Sequence, residues 1–568
     1  MRAKFGAIAA LLALAACAST DQTAGPAASA EPAAPAIAAF AYPPLSPDAL
    51  LTHTTLLASD EFEGREPGTR GETLTVEYLE RAFAAAGLEP GVTLADGTRS
   101  WRQEVPLISA TLETAPTLTL TGRDGARTYE YATQFTAWTL RLEPNVSVEN
   151  AELVFVGYGI NAPELGWNDY AGIDMRGRIA VILINDPDYD TGDDRGFGGR
   201  AMTYYGRWTY KYEEAARQGA AGALIIHQTG PAAYPWAVIE SATGGPRFNV
   251  VLPDRGASRT AFEGWIQESV ARETFARANL DFDQLRARAQ QRGFRPVRMG
   301  RLRGSLALNT RIEEMRSVNV IGVLPGRTRP QETVLYSSHW DHLGRCPPVN
   351  GDDICNGALD NASGTAGLIE LARHFASHGR PERSVAFLAV TAEEQGLLGS
   401  LYYSQHPVFD PAQTVGAINM DGLNHVGPTR DVEVVGLGKS EMDDLVALAA
   451  QAQGRRIVPE AFPEHGSFYR SDQLSYARIG IPVLYAGSGI DMVNGGEARG
   501  RQLSEDYIAN RYHKPQDEVT PDWDLTGATQ DLQMLYQVGR TLADGAMWPA
   551  WRANAEFRAA REAMRPSR

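Results

Sequence analysis

The chain has 568 residues, 43% hydrophobic and 21% charged, a globular balance that excludes a disordered acidic chain and a membrane-embedded bundle. Lys plus Arg number 53 and Asp plus Glu 69, a net charge of −16, so the chain would repel a phosphate backbone and no nucleic acid partner is expected. Three cysteines exclude a disulfide scaffold, and their odd number asks for separate explanations.

The chain opens MRAKFGAIAALLALAACAST. Arg2 and Lys4 form a positive start, and Phe5 to Ala16 is an uncharged run of twelve. That is shorter than the ~20 apolar residues of a membrane-spanning helix and fits the apolar part of a secretory leader. The run ends Leu14-Ala15-Ala16-Cys17. This ending resembles the lipobox of bacterial lipoproteins, in which the cysteine becomes the lipidated first residue. The resemblance implies a signal peptide over 1–16, a lipid on Cys17 and a lipid anchor in the bacterial cell envelope. Ala18 in place of Asp is similar to the outer-membrane sorting pattern, on the periplasmic or the surface face. Residues 17–45 are rich in Ala, Pro and Ser without a sustained period, and read as a tether.

From Ser46 the composition turns globular. Leu79, Phe83 and Leu88 predict a helix that Gly87 stops. Residues 115–150 alternate enough to predict strands. AELVFVGY at 151–158 and RIAVILI at 178–184 are short β-rich runs, and Arg200 to Gln228 holds a helix, a Gly turn and a strand. These features predict a small β-rich domain over 148–258, followed by a helical bridge over 259–299. From Ser317 strands and helices interleave up to a last helix at 526–544. This pattern predicts an α/β fold, with a central sheet covered by helices on both faces.

Polar clusters follow several of these strands. His339-Trp340-Asp341 ends one, Glu393-Glu394 another and Asp421 a third. Ligands of open α/β sheets bind outside the carboxyl ends of the strands, so the three clusters would share a crevice. Asp360 in NGALDN and His513 in RYHKPQDE can join them. Two His with several carboxylates form a nitrogen and oxygen set that suits zinc, manganese or cobalt. Five ligands exceed one tetrahedral zinc and suit two metals sharing a carboxylate. A spare carboxylate can then serve as general base. Adjacent residues of a strand point to opposite faces, and spacing does not decide which of Glu393 and Glu394 is ligand and which is base.

The stretches SSHWDHLG, GALDNASG, TAEEQGLLGS, INMDG and YHKPQDEV stand in that order over about 180 residues. Together with SDEFEGREPGTRG and SVNVIGVLPG upstream, they resemble the co-catalytic di-zinc exopeptidases. That family includes secreted bacterial leucyl aminopeptidases and glutamate carboxypeptidase. VFVGYGINAPELGWNDYAGIDMRGRIAVILINDP and AARQGAAGALIIHQ resemble the protease-associated domain that the family often carries as an insertion. The resemblance implies a phosphorylase/hydrolase-like zinc peptidase fold, with a catalytic domain over 46–147 and 300–548. It implies two zinc ions per chain and peptide substrates cleaved at the N-terminus by a bridging hydroxide. Asp360 would bridge the metals, His339 and Asp421 would hold one, and Glu394 and His513 the other. Glu393 would be the general base, Asp341 would orient the His339 imidazole, and Tyr512 would donate a hydrogen bond to the oxyanion. His342 is read as structural.

The remaining cysteines, Cys346 and Cys355, lie between Asp341 and Asp360. A disulfide is expected of them in a secreted chain, with thiolate metal ligation as the alternative. His374 and His378 are four apart on a helix with no carboxylate motif beside them, and read as solvated or as linked to the dipole at that helix's C-terminus. NDPDYDTGDDRG at 185–196 lacks EF-hand spacing and reads as a solvated loop. No GxSxG and no HExxH occurs. A carboxypeptidase of the same clan is the alternative activity, with Arg470 and Arg511 as candidates for the substrate's terminal carboxylate. A receptor-like relative without metals is the alternative outside catalysis. Nothing in the pattern sets an oligomeric state.

Overall fold

The structure, a computed structural model, describes residues 45–565 apart from 242, 244 and 554. The expected signal peptide, Cys17 and the tether up to residue 44 lie outside the described residues. Among the described residues no helix is long and apolar enough to cross a membrane.

The centre of the molecule is a mixed sheet. Strands Arg329–His339, Arg383–Val390, Thr414–Asn419 and Val483–Ser488 run parallel, in the order 383–390, 329–339, 414–419, 483–488. The end of strand Val297–Leu324 pairs antiparallel with 383–390 on one side, and Asp431–Val434 pairs antiparallel with 483–488 on the other. Arg383–Val390 and Thr414–Asn419 are buried along their whole length because both faces are covered. Along 329–339 the side chains alternate. Val334 and Tyr336 enter the core shared with helices Gly364–Ser377 and Thr526–Asp544, while Leu335 enters the opposite core with Tyr403, Leu474 and Tyr476. The mixed α/β sheet with helices on both faces is as expected.

Strand Val297–Leu324 is 28 residues long and joins two sheets. Its first part pairs with 145–155 and 117–122, its middle with 102–112 and its end with 383–390. The second sheet contains the parallel strands 179–183, 222–227 and 262–267, with its own core around Phe155, Ile179, Leu224 and Phe275. Two expected boundaries differ here. Residues 259–299 are not a bridge: Phe262–Gln267 is a strand of this sheet, and Val270, Phe275, Phe282 and Leu285 of the next two helices fill its core. Strands 117–122, 125–129 and 135–138 also pair within it, although 46–147 was expected in the catalytic domain. Alternation predicts a strand without saying which sheet it joins.

The stretch 185–196 is only partly solvated. Asp186 and Asp188 are fully buried. Asp186 accepts from Thr203 Oγ1 at 2.9 Å, and Asp188 accepts from the N–H groups of Arg195 and Phe197 at 2.7 and 2.9 Å. His374, expected on a solvated face, is buried with its ring 4.4 Å from that of Tyr536.

Candidate metal centre and active site

The parallel strands deliver their carboxyl ends to one edge, and the polar clusters stand there. His339 is the last residue of its strand, Asp421 follows Thr414–Asn419 by two positions, and Glu393 and Glu394 follow Arg383–Val390. The strand ends at Val390 and the backbone turns at Ala392, with φ of 53°. Strand alternation no longer applies to the two glutamates, and both line the same cavity. Asp360 lies in the kinked segment Ala358–Ser363 that opens helix Gly364–Ser377, and His513 in the loop after helix Gly496–Asn510.

Asp360 sits between two donor groups. Its Oδ1 is 3.4 Å from His339 Nε2, which is 3.0 Å from Asp421 Oδ1. Its Oδ2 is 3.3 Å from His513 Nε2, which is 3.1 Å from Glu394 Oε2. Zinc bonds of 2.0–2.1 Å at tetrahedral angles place neighbouring ligand atoms about 3.3 Å apart, so these separations fit a metal on each side. Nε2 of His513 is buried and faces these two carboxylates without a well-aligned hydrogen bond to either, an arrangement that suits a shared ion. His339, Asp360 and Asp421 form one group able to hold an ion; Asp360 and Glu394 form a second with His342.

The electrostatics agree. Burial opposes the charged form of His339, yet Asp421, Glu393 and Asp360 outweigh it and hold the imidazole well above its usual range. Burial pushes Glu393 well above the usual carboxylate range, and Asp421, Glu394 and Asp472 add to that. Burial also raises Glu394, but His342 and His513 hold it down at about 2. Buried carboxylates in excess of their cations are costly unless positive charge joins them.

The structure places three further residues of the expected site and adds one. His339 Nδ1 is 3.2 Å from the main-chain carbonyl of Asp341 and 3.8 Å from its carboxylate. That carboxylate instead accepts from the N–H groups of Glu393 and Glu394, at 3.1 and 3.3 Å. The Asp341 main chain thus lies nearer the imidazole than its side chain does, and the side chain also meets the backbone of the glutamate pair. Tyr512 lines the cavity with its ring stacked 3.8 Å from that of His513. His342, read as structural, has its Nδ1 2.6 Å from Glu394 Oε1 and its Nε2 buried without a hydrogen bond. The addition is Asp517, in the KPQDEV stretch. Its carboxylate accepts from the N–H groups of Leu359 and Asp360 at 3.1 Å, tying the His513 loop to the Asp360 segment. Only its place in a site stretch could have flagged it.

Cys346 and Cys355 form a disulfide with a Cα–Cα distance of 5.9 Å. It closes the hairpin of Gly344–Val349 and Asp352–Cys355, which connects the two ligand segments. A loop of this size contributes about 2–3 kcal/mol. Cys346→Ser is expected to lower the thermal unfolding midpoint and to slow turnover. Calorimetry and kinetics indistinguishable from wild type would remove the disulfide from the account.

A cavity of about 1160 Å³ opens over the site. Tyr485, Tyr507 and Tyr512 line it from the central layer, and Trp138, Arg207 and Tyr234 from the second. Arg470 lines it and Arg511 does not. Burial and the neighbouring Arg470 pull the Arg207 guanidinium down to about 9. Nε of Arg207 makes no hydrogen bond.

Residues 319–537 match the profile of Peptidase family M28. The matched span contains His339, Asp360, Glu393, Glu394, Asp421 and His513. Aminopeptidase NAALADL1 of Mus musculus is 32% identical over 122 residues, 20% of this chain and 15% of that protein. A probable zinc metalloprotease of Pyricularia oryzae is 38% identical over 104 residues, 18% of this chain and 20% of that protein. The chain thus matches no more than a fifth of the length of either relative. Among solved structures, an aminopeptidase from Aneurinibacillus sp. strain AM-1 aligns over 88% of this chain and 95% of its own, at 19% identity and a TM-score of 0.45.

Proposed function

We propose that this protein is a zinc-dependent exopeptidase that removes N-terminal residues from peptides, with two zinc ions held about Asp360. The observation that carries the reading is the division of Asp360, one oxygen facing His339 and Asp421 and the other facing His513 and Glu394. Zinc, when bound, polarises the scissile carbonyl and makes a water nucleophilic at neutral pH. The chain's residues do the rest. Glu394 is engaged by His342 and His513, which leaves Glu393 facing the cavity as the base. Glu393 takes a proton from the attacking water and passes it to the leaving amine. Asp341 fixes the backbone from which Glu393 reaches. Tyr512, beside His513 at the cavity wall, donates to the carbonyl oxygen as it gains charge.

One observation favours a second reading, a carboxypeptidase or an aminopeptidase that also grips a substrate carboxylate. Arg207 and Arg470 line the cavity, and among the described residues no carboxylate forms an ion pair with either. Peptides with one blocked end separate the readings. Under the first, N-acetylation abolishes turnover and C-terminal amidation leaves it. The reverse pattern would make the protein a carboxypeptidase.

A further inference from the structure

Arg65 stands behind the ligands rather than among them. It is 1% exposed. Its Nε donates to the Trp340 carbonyl at 2.9 Å, Nη1 to those of Leu57 and Asn356 at 2.7 and 2.6 Å, and Nη2 to that of Gly357 at 2.8 Å. Four of the five N–H donors of a guanidinium are thus accounted for, all by main-chain oxygens. Those oxygens are not scattered. Trp340 lies between His339 and Asp341, and Asn356 and Gly357 lead into the segment of Asp360.

The backbone is bent to achieve this. Glu63, Gly64 and Arg65 take φ values of 49°, 69° and 50°, three left-handed residues in a row. Two of them carry side chains that disfavour that region, and strain of this kind persists where the surroundings fix it and often marks function. A Cβ on Gly64 would lie 2.5 Å from the carbonyl oxygens of both Cys355 and Gly344, so the disulfide hairpin packs directly on the bend. The Arg65 carbonyl accepts from the His342 N–H at 3.3 Å. Arg65 also brings a buried positive charge within electrostatic reach of Asp517, Asp341, Asp360 and Glu394, with no carboxylate bonded to it.

We propose that Arg65 is a positioning residue of the metal centre: it clamps the segment of His339 and Asp341 to the segment of Asp360 and so fixes the spacing between His339 and the shared Asp360. The inference rests on the metal-dependent reading above. Its charge is held off the ligands by one layer of backbone, where it offsets the acidic cluster without competing for a metal.

The test uses the full chain, with Arg65→Gln and Arg65→Lys. Zinc affinity is read by competition with a chromophoric chelator, and cobalt-substituted protein gives an absorption spectrum of the ligand geometry. Arg65→Gln is expected to weaken at least one zinc by about 10–100-fold, the range for residues that orient metal ligands. It should alter the cobalt spectrum and lower kcat with KM little changed. Lysine keeps the charge but not the planar fork, and should recover part of the affinity. A folded Arg65→Gln protein with wild-type affinity for both ions and an unchanged spectrum would overturn the proposal. So would failure of both variants to fold, which would make Arg65 a folding element. A wild-type chain that binds no zinc would instead overturn the underlying functional reading.

Discussion

Glu393→Gln is expected to lower kcat by about 10²–10⁴-fold, the usual share of a general acid–base group, while the protein keeps both zinc ions. The two glutamates are adjacent in sequence and differ in surroundings. Glu394 has one oxygen 2.6 Å from His342 Nδ1 and the other 3.1 Å from His513 Nε2. Among the described residues the Glu393 carboxylate forms no ion pair, and it lines the cavity, where burial raises its affinity for a proton. Glutamine preserves shape and removes the ability to take a proton. Zinc content by mass spectrometry and kcat on one aminoacyl substrate give the two readouts. Lost zinc would place Glu393 among the ligands, and near wild-type turnover would remove the proposed mechanism.

Asp360→Asn carries the second large effect, and its signature is the opposite one. A neutral amide cannot give a charged oxygen to each side, and the two donor groups lose the residue they share. Both zinc ions should bind weaker by more than about 100-fold, beyond the loss seen when only a supporting residue is removed. Turnover should fall with them. A ligand at a thousand times its Kd stabilises the folded state by about 4 kcal/mol. Zinc should therefore raise the unfolding temperature of the wild type and have little effect on Asp360→Asn. An equal thermal response in both proteins would show that Asp360 does not hold the metals together.

Much of this site was legible from the chain. Strand-ending His339, Glu393, Glu394 and Asp421 could be placed at one edge because parallel strands share a direction. The helix expected at 526–544 is Thr526–Asp544, but a further short helix, Arg558–Met564, follows it. What the sequence hid depends on contacts between distant segments. Asp341 looked like a partner of the His339 ring because it is two residues away, yet its carboxylate serves the backbone of residues 52 and 53 positions later. His342 reads as structural in HWDHLG, and only the fold brings Glu394 to it, from the loop after another strand. Arg65 lies 275 residues from Trp340, and no local pattern announces that pairing. The second sheet is hidden from the sequence for the same reason, since pairing partners of 117–138 and 262–267 are set by the long strand and the core around Phe155.

The central claim is that two zinc ions held around Asp360 carry the activity. It is tested most directly by metal content and aminopeptidase turnover measured together on the full chain, purified without chelator, as zinc is withdrawn and returned. Two zinc ions per chain are expected, with turnover of unblocked aminoacyl substrates that falls as zinc is removed and recovers on its return. Full turnover in a chain stripped of metal, or less than one zinc per active chain, would contradict it.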